Sequence, residues 1–214
     1  MKNIHIYHHL GLGDHIICNG LVRQYATLYN KVYLFCKPHN VDNVSYMFRD
    51  KANIKLLSAN DDETMAFIDK NKQNNYLIIG HEELTKRIIL DLQTTFDSIF
   101  YGMAYIPIEY KWDKFYFARD IEKEKDVFYN KLGMNDSDKF IFIHDDIERP
   151  IPIHKLPQNF RVIRPDNKDI SILDFLYTIE KSREVHMINS CLFNLIDCIK
   201  LRNCLLYTSP SPRD

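Results

Sequence analysis

Charge of one sign is what this chain lacks most plainly: 28 lysines and arginines face 29 aspartates and glutamates, a net charge of -1 over 214 residues. A balance so near zero builds no field to hold a nucleic-acid backbone, so no nucleic-acid partner is expected. Long apolar runs are missing too. None approaches the ~20 residues that cross a bilayer, which leaves peripheral contact as the membrane association the sequence allows. The five cysteines, Cys18, Cys36, Cys191, Cys198 and Cys204, have neither the paired spacing of a zinc site nor the density of a disulfide scaffold. They read as reduced thiols of a cytoplasmic protein, and no metal is expected. The chain opens directly on a strand-like stretch, so no signal peptide is expected. Glycine is scarce at six residues, which makes the close pair Gly11 and Gly13 stand out.

What is present is a globular composition, 45% hydrophobic and 27% charged. Strand and helix patterns alternate along it. Residues 3–9 alternate apolar and polar side chains as a strand does. Residues 14–30 carry apolar side chains at helical spacing. Strands follow at 31–36, 53–58 and 76–80, separated by helices at 41–49 and 61–72, the latter opened by two acids that suit its positive end. Such alternation predicts α/β architecture with parallel sheets. A helix is expected at 84–93, an aromatic helix near 96–103, and a connector around Tyr110-Lys111-Trp112.

The pattern then repeats. A charged helix at 119–132 precedes strands at 139–144, 160–164 and 184–188, with a loop at 147–159 and helices at 170–181 and 190–199. The run Glu122-Lys123-Glu124-Lys125 reads as a solvated face with i,i+4 pairing. The expected division is an N-terminal Rossmann-like unit, 1–112, and a second Rossmann-like unit, 113–203. The tail 204–214 (CLLYTSPSPRD) resembles the translation of a sequencing-library adapter. It is therefore set aside from fold reasoning, and the second unit is expected to be incomplete.

Open α/β sheets bind ligands at the carboxyl ends of their strands. The first such end is His8-His9-Leu10-Gly11-Leu12-Gly13-Asp14-His15. Two glycines let a backbone turn and approach a ligand, and the helix that follows presents free N–H groups. A dinucleotide fingerprint fails here. Its third glycine falls on Ile16, and Lys37-Pro38 stands where an acid is needed after the second strand. No dinucleotide cofactor is expected, and a Rossmann-type oxidoreductase is the weakest of the alternatives.

The stretch GDHIICNGLV, 13–22, is similar to the N-terminal motif of the ADP-heptose heptosyltransferase family. That resemblance implies the two-domain GT-B fold, with the acceptor on the N-terminal domain and a nucleotide-sugar donor on the C-terminal one. It implies Asp14 as the general base of an inverting transfer to a glycan or other hydroxyl acceptor. His9, Gly11, Gly13 and His15 are then the candidate acceptor contacts. The sequence departs from the family at Asn19-Gly20, where a proline is common. An aspartate after a glycine turn is also a standard helix cap, and that reading stays open for Asp14.

A diphosphate donor needs helix N-termini, hydroxyls and cations. Asn189-Ser190 follows a strand and opens a helix containing Asn194. This region resembles the diphosphate motif of heptosyltransferase-like and fucosyltransferase-like enzymes, with Asn189 in place of the acid. His144 and Arg149 flank Asp145-Asp146 after another strand, and Arg164 ends a third. These six residues, His144, Arg149, Arg164, Asn189, Ser190 and Asn194, are the candidate donor contacts. A non-catalytic nucleotide- or sugar-binding protein of the same architecture is the alternative reading.

Overall fold

The computed structural model describes residues 2–81, 94–152, 160–165 and 169–199, and the backbone of 205–208. The helix expected at 84–93 and most of the proline-rich loop at 147–159 lie outside the described residues. Two compact units emerge, Met1–Ala118 and Arg119–Asp214.

Unit 1 is built on four parallel strands: β1 (Ile4–Tyr7), β2 (Val32–Cys36), β3 (Ile54–Ser58) and β4 (Tyr76–Ile78), in the order β3-β2-β1-β4. Ile6 pairs with Leu34 on one side and Leu77 on the other. The central strand is buried on both faces, so Ile4, Ile6 and Tyr7 are all core residues. Even His5 is buried, its ring stacked on Tyr33 at 4.7 Å. The covering helices are α1 (Leu12–Ile17), α2 (Asn19–Leu28), α3 (Val41–Phe48), α4 (Asp61–Lys70), α5 (Phe96–Met103) and the short α6 (Tyr110–Asp113). At the start of α4, Asn60 and Glu63 form a reciprocal capping box.

Three local readings need correction. The helix begins at Leu12, so Gly13 lies inside the first turn and does not form part of the preceding bend. The expected single helix at 14–30 is broken at Cys18 into α1 and α2. The segment 110–113 is a helix packed on α2, and residues up to 118 remain with unit 1. Gly20 explains that packing, because a Cβ there would sit 2.0 Å from the Tyr110 carbonyl oxygen. The glycine that departs from the family motif is thus a close-approach residue. Beside it, buried Arg23 binds Asp50 at 2.7 and 2.9 Å, the Met47 carbonyl at 2.9 Å and the Asn19 side chain at 3.1 Å.

Unit 2 repeats the plan with β5 (Phe140–His144), β6 (Arg161–Ile163), β7 (Glu184–Met187) and β8 (Leu205–Thr208), all parallel, in the order β6-β5-β7-β8. The last strand lies in the tail excluded from fold reasoning. Its backbone pairs with β7 from Glu184↔Leu205 to Met187↔Thr208. An apolar run beside an open strand edge suffices for that pairing. Helices α7 (Ile121–Asp126, extended by a π-helical turn Val127–Lys131), α8 (Leu176–Lys181, after a 3-10 turn Ile172–Phe175) and α9 (Cys191–Ile199) complete the unit. Ile141, Ile143, Ile151 and Ile188 form one core cluster.

The charged run in α7 is not a solvated face throughout. Glu124 is 0% exposed, and its carboxylate accepts from Arg119 at 2.9 and 2.6 Å and from the Tyr177 N–H at 3.0 Å. Arg119 also grips Glu180 at 2.6 and 2.9 Å, and these carboxylates push its pKa up. Lys123 pairs with the buried Asp174 at 2.8 Å. Removing one partner of a buried pair leaves a desolvated charge behind, at a cost of ~3–5 kcal/mol. Arg119 keeps partial solvent contact, so Glu124→Gln is expected to destabilise unit 2 by about 3 kcal/mol, the lower end of that range. Urea unfolding monitored by tyrosine fluorescence measures it, and a loss under about 1 kcal/mol would show the network to be redundant.

Candidate functional site

In unit 1, β1 and β4 are neighbours although two strands separate them in sequence. The chain therefore runs outward one way from β1 and the other way from β4. A crevice opens where such directions diverge, at the strands' carboxyl ends. The loop 8–11 after β1, Lys37 after β2, Asp61 after β3 and Gly80-His81 after β4 all fall at that edge.

Asp14 occupies the first turn of α1, whose N-cap is Gly11. It is not the capping residue itself. Its carboxylate reaches back to accept from the Gly11 N–H, and a Cβ on Gly11 would lie 2.7 Å from its Oδ2. Gly11 has an ordinary extended backbone, φ -69° and ψ 150°. The backbone here makes no demand for glycine, and a side chain would crowd only the movable Asp14 carboxylate. The loop is pinned from the side by buried Asn40, which donates to the Leu10 carbonyl at 2.9 Å. Burial pushes the Asp14 pKa above its ordinary value; the charge of His9, the Gly11 N–H and Lys37 oppose the shift without cancelling it.

The histidines divide. His15 is 1% exposed, neither ring nitrogen has a hydrogen-bond partner among the described residues, and burial holds its pKa well below the usual imidazole value. It packs edge-on against His8, at 4.4 Å between ring centroids. His8 is also fully buried and is pushed down to about 4, mainly by desolvation. The expectation that His15 meets an acceptor is therefore corrected: on the inner face of α1 it is a neutral core ring. His9 is half-buried at the edge, its Nε2 bonded to the Gly80 carbonyl.

Sequence reasoning passed over Tyr7, Lys37 and Asp61 as groups of this edge. Tyr7 Oη donates to Asp61 at 2.9 Å, and Lys37 Nζ pairs with the same carboxylate at 2.9 Å. Burial works against ionisation of Asp61, but these bonds hold its pKa below the usual range. His81 stacks on Tyr7 at 3.8 Å. The available signal was position: Lys37 and Asp61 each follow a strand, and strand order alone brings them to Asp14's edge. Among the described residues no group of three or more His, Cys, Asp or Glu side chains is arranged to hold a metal.

In unit 2 the order β6-β5-β7-β8 places a second divergence between β5 and β7. His144 ends β5, half-buried, with burial lowering its pKa. Asp145 accepts from the Ile151 N–H at 2.8 Å and from Arg164 at 3.2 Å. Asp146 accepts from the Arg149 N–H at 2.7 Å and from its guanidinium at 2.5 and 3.1 Å. Arg149 also reaches the Asn189 carbonyl at 3.4 Å, tying the ends of β5 and β7. Ser190 Oγ accepts from the Phe193 N–H at 3.3 Å and caps α9, while the Asn194 N–H bonds to the Ser190 carbonyl at 3.0 Å. Asn194 thus lies in the helix's first turn. Both candidate donor arginines are paired with acids, Arg149 with Asp146 and Arg164 with Asp145.

No protein-family model matches the sequence, and no curated protein does. Solved structures match the fold. The glycosyl transferase family 9 protein from Veillonella parvula DSM 2008 aligns over 97% of this chain and 86% of its own, at 8% identity and a TM-score of 0.55. E. coli ADP-heptose lps heptosyltransferase II aligns over 99% and 86%, at 9% identity and a TM-score of 0.59. The chain has the α/β fold with parallel sheets seen in these two, in agreement with the architecture expected from its sequence. Among the described residues no helix is long and apolar enough to cross a membrane.

The folded protein binds the Asp14 proton more tightly than the unfolded chain. This residue's contribution to stability is therefore full below the ordinary value of 3.8 and falls as pH rises through the raised one. Asp14→Asn keeps an acceptor for the Gly11 N–H and removes the buried charge. Its stability relative to the wild type is expected to improve between about pH 4 and about pH 7, as measured by denaturant unfolding at both. A gap independent of pH would show Asp14 to be well solvated.

Proposed function

We propose that the protein is a glycosyltransferase that moves a sugar from a nucleoside-diphosphate donor to a hydroxyl acceptor with inversion, using Asp14 as general base. The observation that carries this reading is a partly buried carboxylate, its pKa raised by desolvation, in the helix turn that follows the carboxyl end of β1. A base works best when its pKa is lifted toward the working pH while it stays ionised. Asp14 has both influences, burial on one side and His9, Lys37 and the Gly11 N–H on the other. The fold shared with two glycosyltransferase structures supports the same class, although fold alone never decides function.

In the proposed step the acceptor O–H bond breaks and its proton passes to the Asp14 carboxylate. The acceptor oxygen forms a bond to the anomeric carbon from the face opposite the leaving group. The bond between that carbon and the phosphate oxygen breaks, and the nucleoside diphosphate departs with the electron pair. Unit 2 is assigned the donor. Ser190 and the first N–H groups of α9 suit a phosphate, and Arg149 and Arg164 supply positive charge. Their ion pairs are partly exposed, with side-chain exposures of 37% and 47% for the two arginines. Solvent-screened pairs of this kind are weak, so a diphosphate with several charged oxygens can displace Asp146 and Asp145 from them. His9 remains the candidate acceptor contact on unit 1.

Two variants test the assignment. Asp14→Ala is expected to lower turnover ~10²–10⁴-fold, the usual contribution of a general base, with donor binding unchanged. Arg149→Gln is expected to weaken donor binding. Isothermal titration with ADP-, UDP- and GDP-sugars, followed by turnover on the donor that binds, reads both. Full turnover in Asp14→Ala would sink the catalytic reading and leave a binding protein.

A further inference from the structure

We propose that Lys37, Asp61 and His81 form a subsite on unit 1 for a neutral sugar ring, held through two adjacent hydroxyls. This names an acceptor class for the transfer proposed above and rests on that reading.

The subsite is built from the ends of neighbouring strands. Lys37 follows β2, where Pro38 opens a 3-10 turn and the Asn40 N–H donates to the Lys37 carbonyl at 2.9 Å. Asp61 opens α4 just after β3, and the Ala59 N–H donates to the Cys36 carbonyl at 2.9 Å, which ties the two segments together. The side chains meet with Lys37 Nζ 2.9 Å from Asp61 Oδ2. From the core, the Tyr7 hydroxyl donates to Asp61 Oδ1 at 2.9 Å. Tyr7 is a buried ring at the end of β1, so the carboxylate is anchored to the sheet.

An ammonium has more protons, and a carboxylate more lone pairs, than one ion pair uses. Among the described residues Lys37 gives one bond to Asp61, and Asp61 accepts from Lys37 and Tyr7. Both side chains keep solvent contact, 31% for Lys37 and 47% for Asp61. A fixed donor and a fixed acceptor therefore stand side by side with capacity left. Two neighbouring hydroxyls of a pyranose complement them: one O–H donates to Asp61, and the oxygen of the next accepts from Lys37. Such charge-assisted bonds are stronger than neutral ones.

His81 adds a flat face. Its ring stacks on Tyr7 at 3.8 Å between centroids, tilted by 20°, and the residue is exposed, so the opposite face meets solvent. The apolar C–H face of a sugar packs on such a ring while its hydroxyls turn to a few placed polar groups. His9, the candidate acceptor contact, stands edge-on to His81 at 4.9 Å. The charge balance then selects the ligand. Lys37 and Asp61 cancel, and desolvation lowers the His81 pKa, favouring the neutral ring. A carboxylate or phosphate bound here would face Asp61 at contact distance and be repelled. A hydroxylated neutral ring meets no such cost.

The experiment is a ligand-observed NMR titration of the full chain, without donor. The probes are methyl α-D-glucopyranoside, methyl α-D-mannopyranoside and methyl β-D-galactopyranoside, which between them present cis and trans adjacent hydroxyls. At least one is expected to bind, with a Kd that rises ~tenfold or more in Lys37→Met and in Asp61→Asn and stays unchanged in His186→Gln on unit 2. The uronic acid of the same glycoside, a carboxylate on the same ring, is expected to bind more weakly. Binding by none of the probes, a Kd that rises less than about threefold in Lys37→Met, or equal or tighter binding of the uronate overturns the proposal. If Asp61→Asn fails to fold for want of its Tyr7 bond, Lys37→Met decides alone. These readouts need no turnover. Full turnover in Asp14→Ala, with the sugar still held by Lys37, would remove the base and keep the subsite. Lost turnover in Asp14→Ala, with sugar binding indifferent to Lys37, would keep the base and remove the subsite.

Discussion

Parallel pairing forces every strand of a sheet to end on the same edge, and the chemistry of both units follows from that constraint. Antiparallel neighbours would have sent the ends of β1 and β4 to opposite sides. Their shared direction, with Ile6 beside Leu77, brings the loop carrying Asp14 next to the turn carrying Gly80. The same rule unites His144, Arg164 and Asn189 in unit 2, which are far apart in sequence and follow three parallel strands. Burial of the central strands supplies the stability, while the edge they define is free to carry polar groups.

Charge is used differently at the two edges. In unit 1 one carboxylate, Asp61, is satisfied by Lys37 and Tyr7, while a second, Asp14, is left with less compensation than its burial demands. The first arrangement stiffens the edge and the second leaves a group whose protonation is easily changed. In unit 2 each arginine has an acid of its own, so the edge is neutral when empty. Pairing each guanidinium with its own acid avoids repulsion between the two arginines.

The alternation of strands and helices was legible in the sequence because buried parallel strands and amphipathic helices each leave a period. Strands β1 to β4 and the aromatic helix α5 fall where that period put them, within a few residues. The glycine-rich loop was legible too, but the reasons for its glycines were not. Gly11 has an ordinary extended backbone and lies against the Asp14 carboxylate, and Gly13 is an interior helical residue. Neither fact follows from a count of glycines. Lys37, Asp61 and Tyr7 could not be brought to the edge that carries Asp14 without the strand order, which sequence alone leaves open. Glu124 misled for a different reason. It sits in a run of alternating charges, and only the return of α8 over α7 removes that one carboxylate from water. His15 was misplaced by a single helical step, since a residue after Asp14 on a six-residue helix turns inward.

The approach of α2 to the Tyr110 carbonyl at Gly20 bears on how this chain can be dissected. Helix α6 is fastened to α2 through a space that only hydrogen fills, so residues 110–118 belong to the first unit however linker-like their sequence. A cut at residue 112, where composition invites one, would end the chain inside α6 and remove the Tyr116 N–H that donates to the Asn19 side chain. An N-terminal fragment meant for separate expression should therefore run through Ala118, and deletion series placed earlier would report damage to the first unit rather than the contribution of the second.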